Sequence, residues 1–391
     1  MKSEYAKKFE VKNPLKRIEF GEIQLNQRSI QEVKTCLTNE WISYGPQVKK
    51  FEKNWGKLFK YTYNMAMSSG TDAVTNLLAS LYDFGAKRGD EVIVPALSFI
   101  ATANAVLHAG FTPVFVDVEL ESMNIDPSKI EEAITPKTRA ILAVHTMGVL
   151  CDMNALKEIA SKHKLLLFED ACEAHGAKLG HAYVGKMSDG AAFSYFAAHL
   201  ICCGEGGMVS TQNKKVAESV ESTRTHGRHK GHAFFRHERV GYNSKMNDLE
   251  AAVGLGQLED FWQTYRVRKT HLYYLKNKLR DYKSLAYFNY DTEDMDVCPH
   301  AFSVVLRDKS HDITELHKVL DKYNIHWKRN FGSTPTQHQA YAFMGHKTGD
   351  FPNSEHIGEH GIHVGVHQYL SQEDLDRMVE AFSEYFEGLP C

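Results

Sequence analysis

The sequence predicts an α/β protein built on a mostly parallel sheet, with a smaller α+β unit at its C-terminal end. Two observations carry this. Short apolar runs alternate with helical patterns from about residue 65 to 212, which is the signature of strand–helix–strand units. Those runs are continuous rather than alternating, as expected of strands buried on both faces. From about residue 247 a long helical segment leaves this region and leads into a shorter mixture of strands and helices.

The elements follow in order. "NMAM" is a strand leading into "SSGTDAVTNLLASLYDF", a helix with apolar residues at Val74, Leu77, Leu78 and Leu81. "EVIVPA" is a strand, "FIATANAVLHAG" a helix closed by Gly110, and "TPVFVDV" a strand. "DPSKIEEAI" reads as a helix with Asp126 as its N-cap. "RAILAVH", "MNALKEIASKH" and "KLLLFED" continue as strand, helix and strand, and "AAFSYF" and "GGMVST" are two more strands. The helical run "DLEAAVGLGQLEDFWQTYRVRKTHLYYLKNKL" divides the chain into a large unit, 1–265, and a small one, 266–391. The first 30 or so residues are expected to pack on the small unit. "HAFSVVLR", "ITELHKVLDKYNI" and "SQEDLDRMVEAFSEYF" supply the small unit's strand and helices.

Composition excludes several classes. A formal net charge of −3 gives no global field toward nucleic acid or membrane. The basic N-terminus has no apolar core of signal-peptide type, and the longest apolar run, "GAAFSYFAAHLICC", is too short to span a bilayer. The seven cysteines, at 36, 151, 172, 202, 203, 298 and 391, form no C-x-x-C pair. An odd, scattered set in a large chain points to reduced thiols and the cytoplasm.

Three short stretches have the residue types for cofactor chemistry. "MSSGTDA" puts Ser69, Gly70 and Thr71 at a strand-to-helix junction. Free backbone N–H groups at the positive end of a helix suit a phosphate there, although an ordinary serine cap has the same letters. "LLLFEDACEAHGA" ends a buried strand at Asp170, where open α/β sheets bind ligands and a carboxylate can pair with a protonated ring nitrogen. A capping aspartate is the plainer alternative. "VPALSFIATAN" sets Phe99 just past another strand end, where it could stack on a planar ring or sit in the core.

In this order, these stretches resemble the DegT/DnrJ/EryC1/StrS family of sugar aminotransferases and dehydratases, within the fold-type I pyridoxal phosphate enzymes. "WISYGPQVKKFE", "GDEVIVPALSFIATANAV", "FEDACEAHGA", "GEGGMVST" and "GYNSKMNDLEAAVGLGQLE" extend the resemblance over nearly the whole chain. The resemblance implies an aspartate aminotransferase-like fold and a pyridoxal 5′-phosphate or pyridoxamine 5′-phosphate cofactor. It implies phosphate contacts from Ser69, Gly70, Thr71 and Ser194, ring stacking on Phe99, Asp170 at the pyridine nitrogen, and Glu173 among the cofactor-binding residues. Asn243, in "GYNSKMN", would reach a phosphate across a homodimer interface, so that two chains share each active site.

One position departs from the pattern. In "FSYFAAHLICC" the seventh residue from "FS" is His199, where most of the family carries the lysine that binds the cofactor covalently. An imidazole cannot form that bond. It remains a capable base, with a reference pKa of about 6.5 against about 10.4 for lysine. It could take a proton from the cofactor and give one to a departing hydroxyl. This substitution resembles the family's branch of 3-dehydratases acting on nucleotide-linked 4-keto-6-deoxy sugars in deoxysugar and O-antigen biosynthesis. Glu173, where many aminotransferases carry Gln, and "GIHVGVHQYL", similar to a His-Gln stretch of the GDP-4-keto-6-deoxymannose 3-dehydratases, support the same branch. With no C-x-C pair and Cys202 and Cys203 adjacent, an iron–sulfur cluster is a poor match. The self-contained type, recharged by L-glutamate, fits better. Two alternatives stay open: an aminotransferase whose lysine is lost or replaced, and a cofactor-binding protein without turnover.

The segment "RTHGRHKGHAFFRHERVGYN" holds His226, His229, His232 and His237 among Arg224, Arg228, Lys230, Arg236 and Arg239. The interleaved cations repel a metal, so no metal site is expected, and an anion such as a sugar nucleotide diphosphate suits the loop better. A solvated basic loop is the alternative. His226, Arg228, Lys328 and His367 complete the set of expected substrate-binding residues.

Overall fold

The computed structural model describes residues 16–229 and 236–389. Nine strands come first in the chain: β1 (Tyr63–Met67), β2 (Glu91–Pro95), β3 (Thr112–Val116), β4 (Thr138–Val144), β5 (Leu166–Asp170), β6 (Lys178–Leu179), β7 (Ala182–Tyr183), β8 (Gly190–Ser194) and β9 (Gly207–Thr211). Seven of them form one sheet in the order β1-β9-β8-β5-β4-β2-β3. The run β8-β5-β4-β2-β3 is parallel throughout, and β9 is antiparallel to both of its neighbours.

Strand alternation explains why the apolar runs are continuous. Val92, Val94, Leu142 and Phe168 enter the core on one face of the sheet, under the helices Gly70–Ala79, Ala101–His108 and Lys214–Thr223. Ile93, Ile141 and Leu167 enter the core on the other face with Leu156 of the helix Met153–His163. Successive side chains point to opposite sides, so a strand covered on both faces must be apolar at every position. Beside that second face, Trp55 and Phe59 of the helix Pro46–Phe59 meet Phe193 and Phe261.

The long helix Asp248–Lys278 takes part in two cores. Leu255, Leu258, Phe261 and Tyr265 pack with the first sheet. Leu272 and Leu275 pack with a second sheet. That sheet consists of β10 (Ala286–Phe288), β12 (Ala301–Leu306), β13 (Trp327–Arg329) and β14 (Gly361–Gly365), antiparallel in the order β10-β12-β14-β13. The helices Ile313–Lys322 and Gln372–Glu387 cover it through Leu316, Leu320, Met378 and Phe382. A short strand β11 (Met295–Asp296) ties β6 and β7 into a small third sheet. Near the start of the described chain, Ile18 lies in this second core and bridges to Ile325.

Two expected elements differ. "DPSKIEEAI" forms two short 3₁₀ turns, Pro127–Lys129 and Glu131–Ala133, rather than an α-helix. Asp126 does cap it, accepting from Ser128 N–H at 3.0 Å. A segment this short, followed by Thr135-Pro136, does not repay helix nucleation. The helix that begins at Gly70 stops at Ala79 and continues as a 3₁₀ turn, Ser80–Phe84, closed by Gly85 at φ 91°. Gly110 closes its helix as expected, at φ 89°.

Candidate active site

A cavity of about 580 Å³ opens where the C-terminal ends of β2, β4, β5 and β8 meet the second sheet. In an open α/β sheet this edge, where neighbouring connections run in opposite directions, is where ligands bind. Ser69, Gly70, Thr71, Phe99, Asp170, Glu173, Ser194, His199 and Lys328 all line it. Chain order places these residues far apart; parallel strands bring their ends to one edge.

The first half of the cavity is a small cradle. Ser69 caps the helix Gly70–Ala79, its Oγ accepting from Asp72 N–H at 3.0 Å. Gly70 has no side chain for a packing reason: a Cβ there would stand 2.6 Å from Ser194 Cβ and 2.9 Å from Ser194 Oγ. Ser69, Thr71 and Ser194 thus line the cavity at the N-terminus of this helix, an arrangement that suits an anion. Asp170 ends β5 and is buried. Its Oδ2 accepts from Thr102 Oγ1 at 2.8 Å and its Oδ1 from Cys172 N–H at 3.3 Å. Because Thr102 Oγ1 donates to Asp170, the Ser98 hydroxyl 2.6 Å away donates to Thr102. Phe99 is 60 % exposed, an aromatic face left open at the cavity. A phosphate-bearing aromatic ring with a basic ring nitrogen fits these donors, and the pyridoxal phosphate group expected from the sequence is such a ring.

The second half is crowded with imidazoles. His199 sits 5.2 Å from the ring of His300 and 5.8 Å from that of His175, centre to centre. Its Nδ1 is buried without a hydrogen-bond partner. Burial, with the charges of Arg268 and Lys328 adding, draws its pKa down to about 3. The imidazole is therefore a neutral base at any working pH. Arg268, buried on the long helix, holds the backbone behind it, donating to the carbonyls of Ala198 (3.3 Å) and His199 (3.4 Å) and to Gln368 Oε1 (2.8 Å).

Glu173 is placed by a chain of buried contacts. His145 Nδ1 accepts from Cys151 N–H, so its Nε2 carries the proton donated to Glu169 at 2.8 Å. This pair holds the 145–151 turn, where Met147 adopts φ 55°. Met147 N–H then donates to Glu173 Oε2 at 2.7 Å. The other oxygen, Oε1, lies 3.4 Å from His300 Nε2. Burial pushes the Glu173 carboxyl up to about 7, opposed by the Met147 N–H. Lys328 stands with its Nζ 4.1 Å from the Phe20 ring centre, and burial lowers its pKa against the pull of Glu173.

Four expected residues lie outside the cavity lining in the single chain. Asn243 is exposed and accepts from Lys245 Nζ. His226, at φ 65°, and Arg228 are exposed beside it in the same basic segment. His367 is 2 % exposed and presents its backbone carbonyl to His271 Nδ1. Lys230 and His232 lie outside the described residues. His229 Nδ1 meets Glu238 Oε2 at 2.5 Å. No group of three or more metal-ligating side chains occurs among the described residues.

The sequence reading missed Thr102, Glu205, His300, His363 and Arg268. Thr102 was legible, one turn into the helix after Phe99. Glu205 and His363 lie inside the quoted stretches "GEGGMVST" and "GIHVGVHQYL", whereas Arg268 and His300 approach from 98 and 130 residues beyond Asp170 with no local motif to mark them.

Comparison with known proteins agrees with this architecture. The sequence profile of the DegT/DnrJ/EryC1/StrS aminotransferase family matches residues 24–383. The spore coat polysaccharide biosynthesis protein SpsC of Bacillus subtilis is 31% identical, over 93% of this chain and 96% of its own. The GDP-perosamine synthase of Escherichia coli O157:H7 is 33% identical, over 95% and 99%. The solved structure of E. coli GDP-4-keto-6-deoxy-D-mannose-3-dehydratase with bound hydrated PLP superposes with a TM-score of 0.85 at 23% identity, covering 93% of this chain and 98% of that one. The fold is thus that of the fold-type I aminotransferases, and pyridoxal 5′-phosphate or pyridoxamine 5′-phosphate is the cofactor class. The chain belongs to the DegT/DnrJ/EryC1/StrS aminotransferase family.

Proposed function

We propose that this family member is a 3-dehydratase of a nucleotide-linked 4-keto-6-deoxy sugar. The observation that carries the reading is His199: a neutral imidazole with an unpartnered buried nitrogen, in a cavity whose phosphate cradle and Asp170 are intact. When bound, pyridoxamine 5′-phosphate supplies an amine for the sugar ketone and a sink for the electrons released when a neighbouring proton is removed. Ser69, Gly70, Thr71 and Ser194 would hold its phosphate, Phe99 would face its ring, and Asp170 would keep the ring nitrogen protonated. His199 removes the proton. The C3 hydroxyl leaves as water, and hydrolysis gives a 3-deoxy-4-keto sugar and ammonia. L-glutamate restores the amine.

Partners and setting follow from the same reading. Of the expected substrate-binding residues Lys328 faces the cavity, while His367, with both ring nitrogens buried outside the lining, does not reach it. A homodimer would bring Asn243, with His226 and Arg228 beside it, toward the cradle of the other chain. The described cysteines are all free thiols, which supports a cytoplasmic setting.

Aminotransfer is the second reading, favoured by relatives named as a GDP-perosamine synthase and as a dTDP-3-amino-3,6-dideoxy-α-D-galactopyranose transaminase. Incubation with glutamate, cofactor and GDP-4-keto-6-deoxymannose separates the two. Dehydration yields 2-oxoglutarate, ammonia and a deoxy sugar. A stable 4-amino sugar without ammonia overturns the dehydratase reading.

A further inference from the structure

The alternation of β14 sends its residues in two directions. In "GIHVG", Ile362 and Val364 enter the second core. His363 between them points to the other face of the sheet, toward the cavity it lines. Residues directly opposite on antiparallel strands share a face, and His363 stands opposite Lys328 of β13 and Ser303 of β12. A sheet that is apolar on its covered face thus turns a polar row toward the cavity.

The tautomer of His363 is set from behind. Its Nδ1 lies 3.0 Å from Asn330 Oδ1. Met123 Sδ stands 3.7 Å from both Asn330 Nδ2 and Ser303 Oγ. A thioether only accepts, so the amide nitrogen of Asn330 faces that side, where it also donates to Ser303 Oγ at 2.9 Å. The amide oxygen is left for His363, whose Nδ1 therefore carries the proton, and Nε2 keeps its lone pair. That nitrogen has no partner in the chain, and unlike the ring nitrogens of His175 and His367 it is not sealed from solvent. The residue is 4 % exposed and lines the cavity, so this small opening belongs to the cavity. Burial, with the charges of Lys328 and His326 adding, holds the imidazole at about 3. The lone pair therefore stays free at any working pH.

Lys328 supplies the complementary group. Its Nζ lies 4.1 Å from the Phe20 ring centre, and the same ring meets His363 edge-on at 5.2 Å. An ammonium donates and never accepts, whereas Nε2 here only accepts. A carboxylate, phosphate or ketone oxygen would satisfy Lys328 and set its own lone pairs against Nε2. An amine would satisfy Nε2 and meet the ammonium unfavourably. A hydroxyl accepts and donates through one atom, and it suits both.

We infer that Lys328 and His363 read a hydroxyl of the sugar, Lys328 Nζ donating to its oxygen and His363 Nε2 accepting its hydrogen. This rests on the nucleotide-sugar part of the reading above. His363 is then a specificity residue: a sugar without that hydroxyl leaves the imidazole unpaired in a closed site and is rejected. The proton chemistry stays with His199.

Nitrogen NMR on the full, cofactor-free chain with labelled histidine tests the proposal. We expect His363 to show a protonated Nδ1 and a bare Nε2. GDP-4-keto-6-deoxymannose, which cannot react without cofactor, should move the Nε2 signal, while GDP alone leaves it in place. In the holoenzyme, His363→Phe keeps a ring and removes the acceptor. It should raise KM about tenfold, while turnover at saturation and exchange of the cofactor proton in deuterated buffer stay within about threefold of wild type. If His363→Phe does not fold, the NMR result on the unaltered chain decides. A proton on Nε2, an Nε2 signal unmoved by the sugar nucleotide, or one moved equally by GDP overturns the proposal, as does an unchanged KM in folded His363→Phe. A stable amino sugar made by the wild-type chain overturns the dehydratase reading alone.

Discussion

The two halves of the cavity differ in how completely their polar groups are satisfied. At the strand ends, Ser69 caps a helix and Asp170 accepts from Thr102 and Cys172. Across from them, ring nitrogens of His199 and His300 are buried with nothing to bond, and Arg268 is buried with carbonyls and an amide oxygen rather than a carboxylate around it. A binding surface gains from being preorganised and paired. A reacting surface must keep a nitrogen free to take or give a proton, and the fold bears the cost of leaving it so.

The largest expected effect cuts the second half at its centre. His199→Asn should lose about two to four orders of magnitude in dehydration, while cofactor affinity measured by absorbance titration stays close to wild type. Near wild-type turnover in this variant would mean that another group removes the proton.

Acid should attack the second half selectively. Burial holds His199 and His363 at about 3 and His367 at about 4, against about 6.5 in the unfolded chain. Below about pH 6.5 the unfolded chain takes up protons that these folded imidazoles refuse, so their stability is whole above that pH and is lost as pH falls. Glu173 works the other way between about 4.5 and 7, because its folded carboxyl binds a proton that the unfolded one does not. His175 and His300, also held well below the usual imidazole value, act in the same sense as the three histidines, so the imidazoles outweigh the one carboxyl and stability falls as pH drops across that window. Urea unfolding at pH 7 and pH 5.5 measures it, and a flat profile would contradict the neutral, buried imidazoles.

The first half should respond to volume rather than to pH. Gly70→Ala places a methyl 2.6 Å from Ser194 Cβ, which should destabilise by about 1–3 kcal/mol. Weaker phosphate binding should accompany it, visible by titrating the cofactor against inorganic phosphate. Unchanged affinity would show that the cradle does not grip the phosphate. The smallest effect belongs to Thr102→Val, which removes the hydroxyl on Asp170 Oδ2. A loss of about 1 kcal/mol in cofactor affinity is expected, with the proton-removal step unaltered.

How much of this was legible follows from the distance over which each feature acts. The sheet was readable because runs such as "EVIVPA" and "KLLLFED" leave no polar face, and only a strand covered on both sides tolerates that. Ser69, Gly70 and Thr71 were readable because they follow β1 at a strand-to-helix junction and Asp170 because it ends β5, whereas Ser194 and the missing lysine at His199 were readable through the family resemblance. "DPSKIEEAI" misled because capping signals act locally, whereas helix formation needs length.

The sequence by itself determined a parallel α/β sheet, the residues at its C-terminal edge, and an imidazole where the family's pattern has an amine. Only the tertiary structure decided what that imidazole faces. His300 and Arg268 come from the second sheet and the long helix, 101 and 69 residues beyond His199 in the chain. Their approach depends on how that sheet seats against the first, and no local pattern encodes a contact made across two packed cores. Charge state is settled at the same level: Glu173 and His199 acquire their protonation from burial, a property of the assembled fold rather than of any neighbour in sequence.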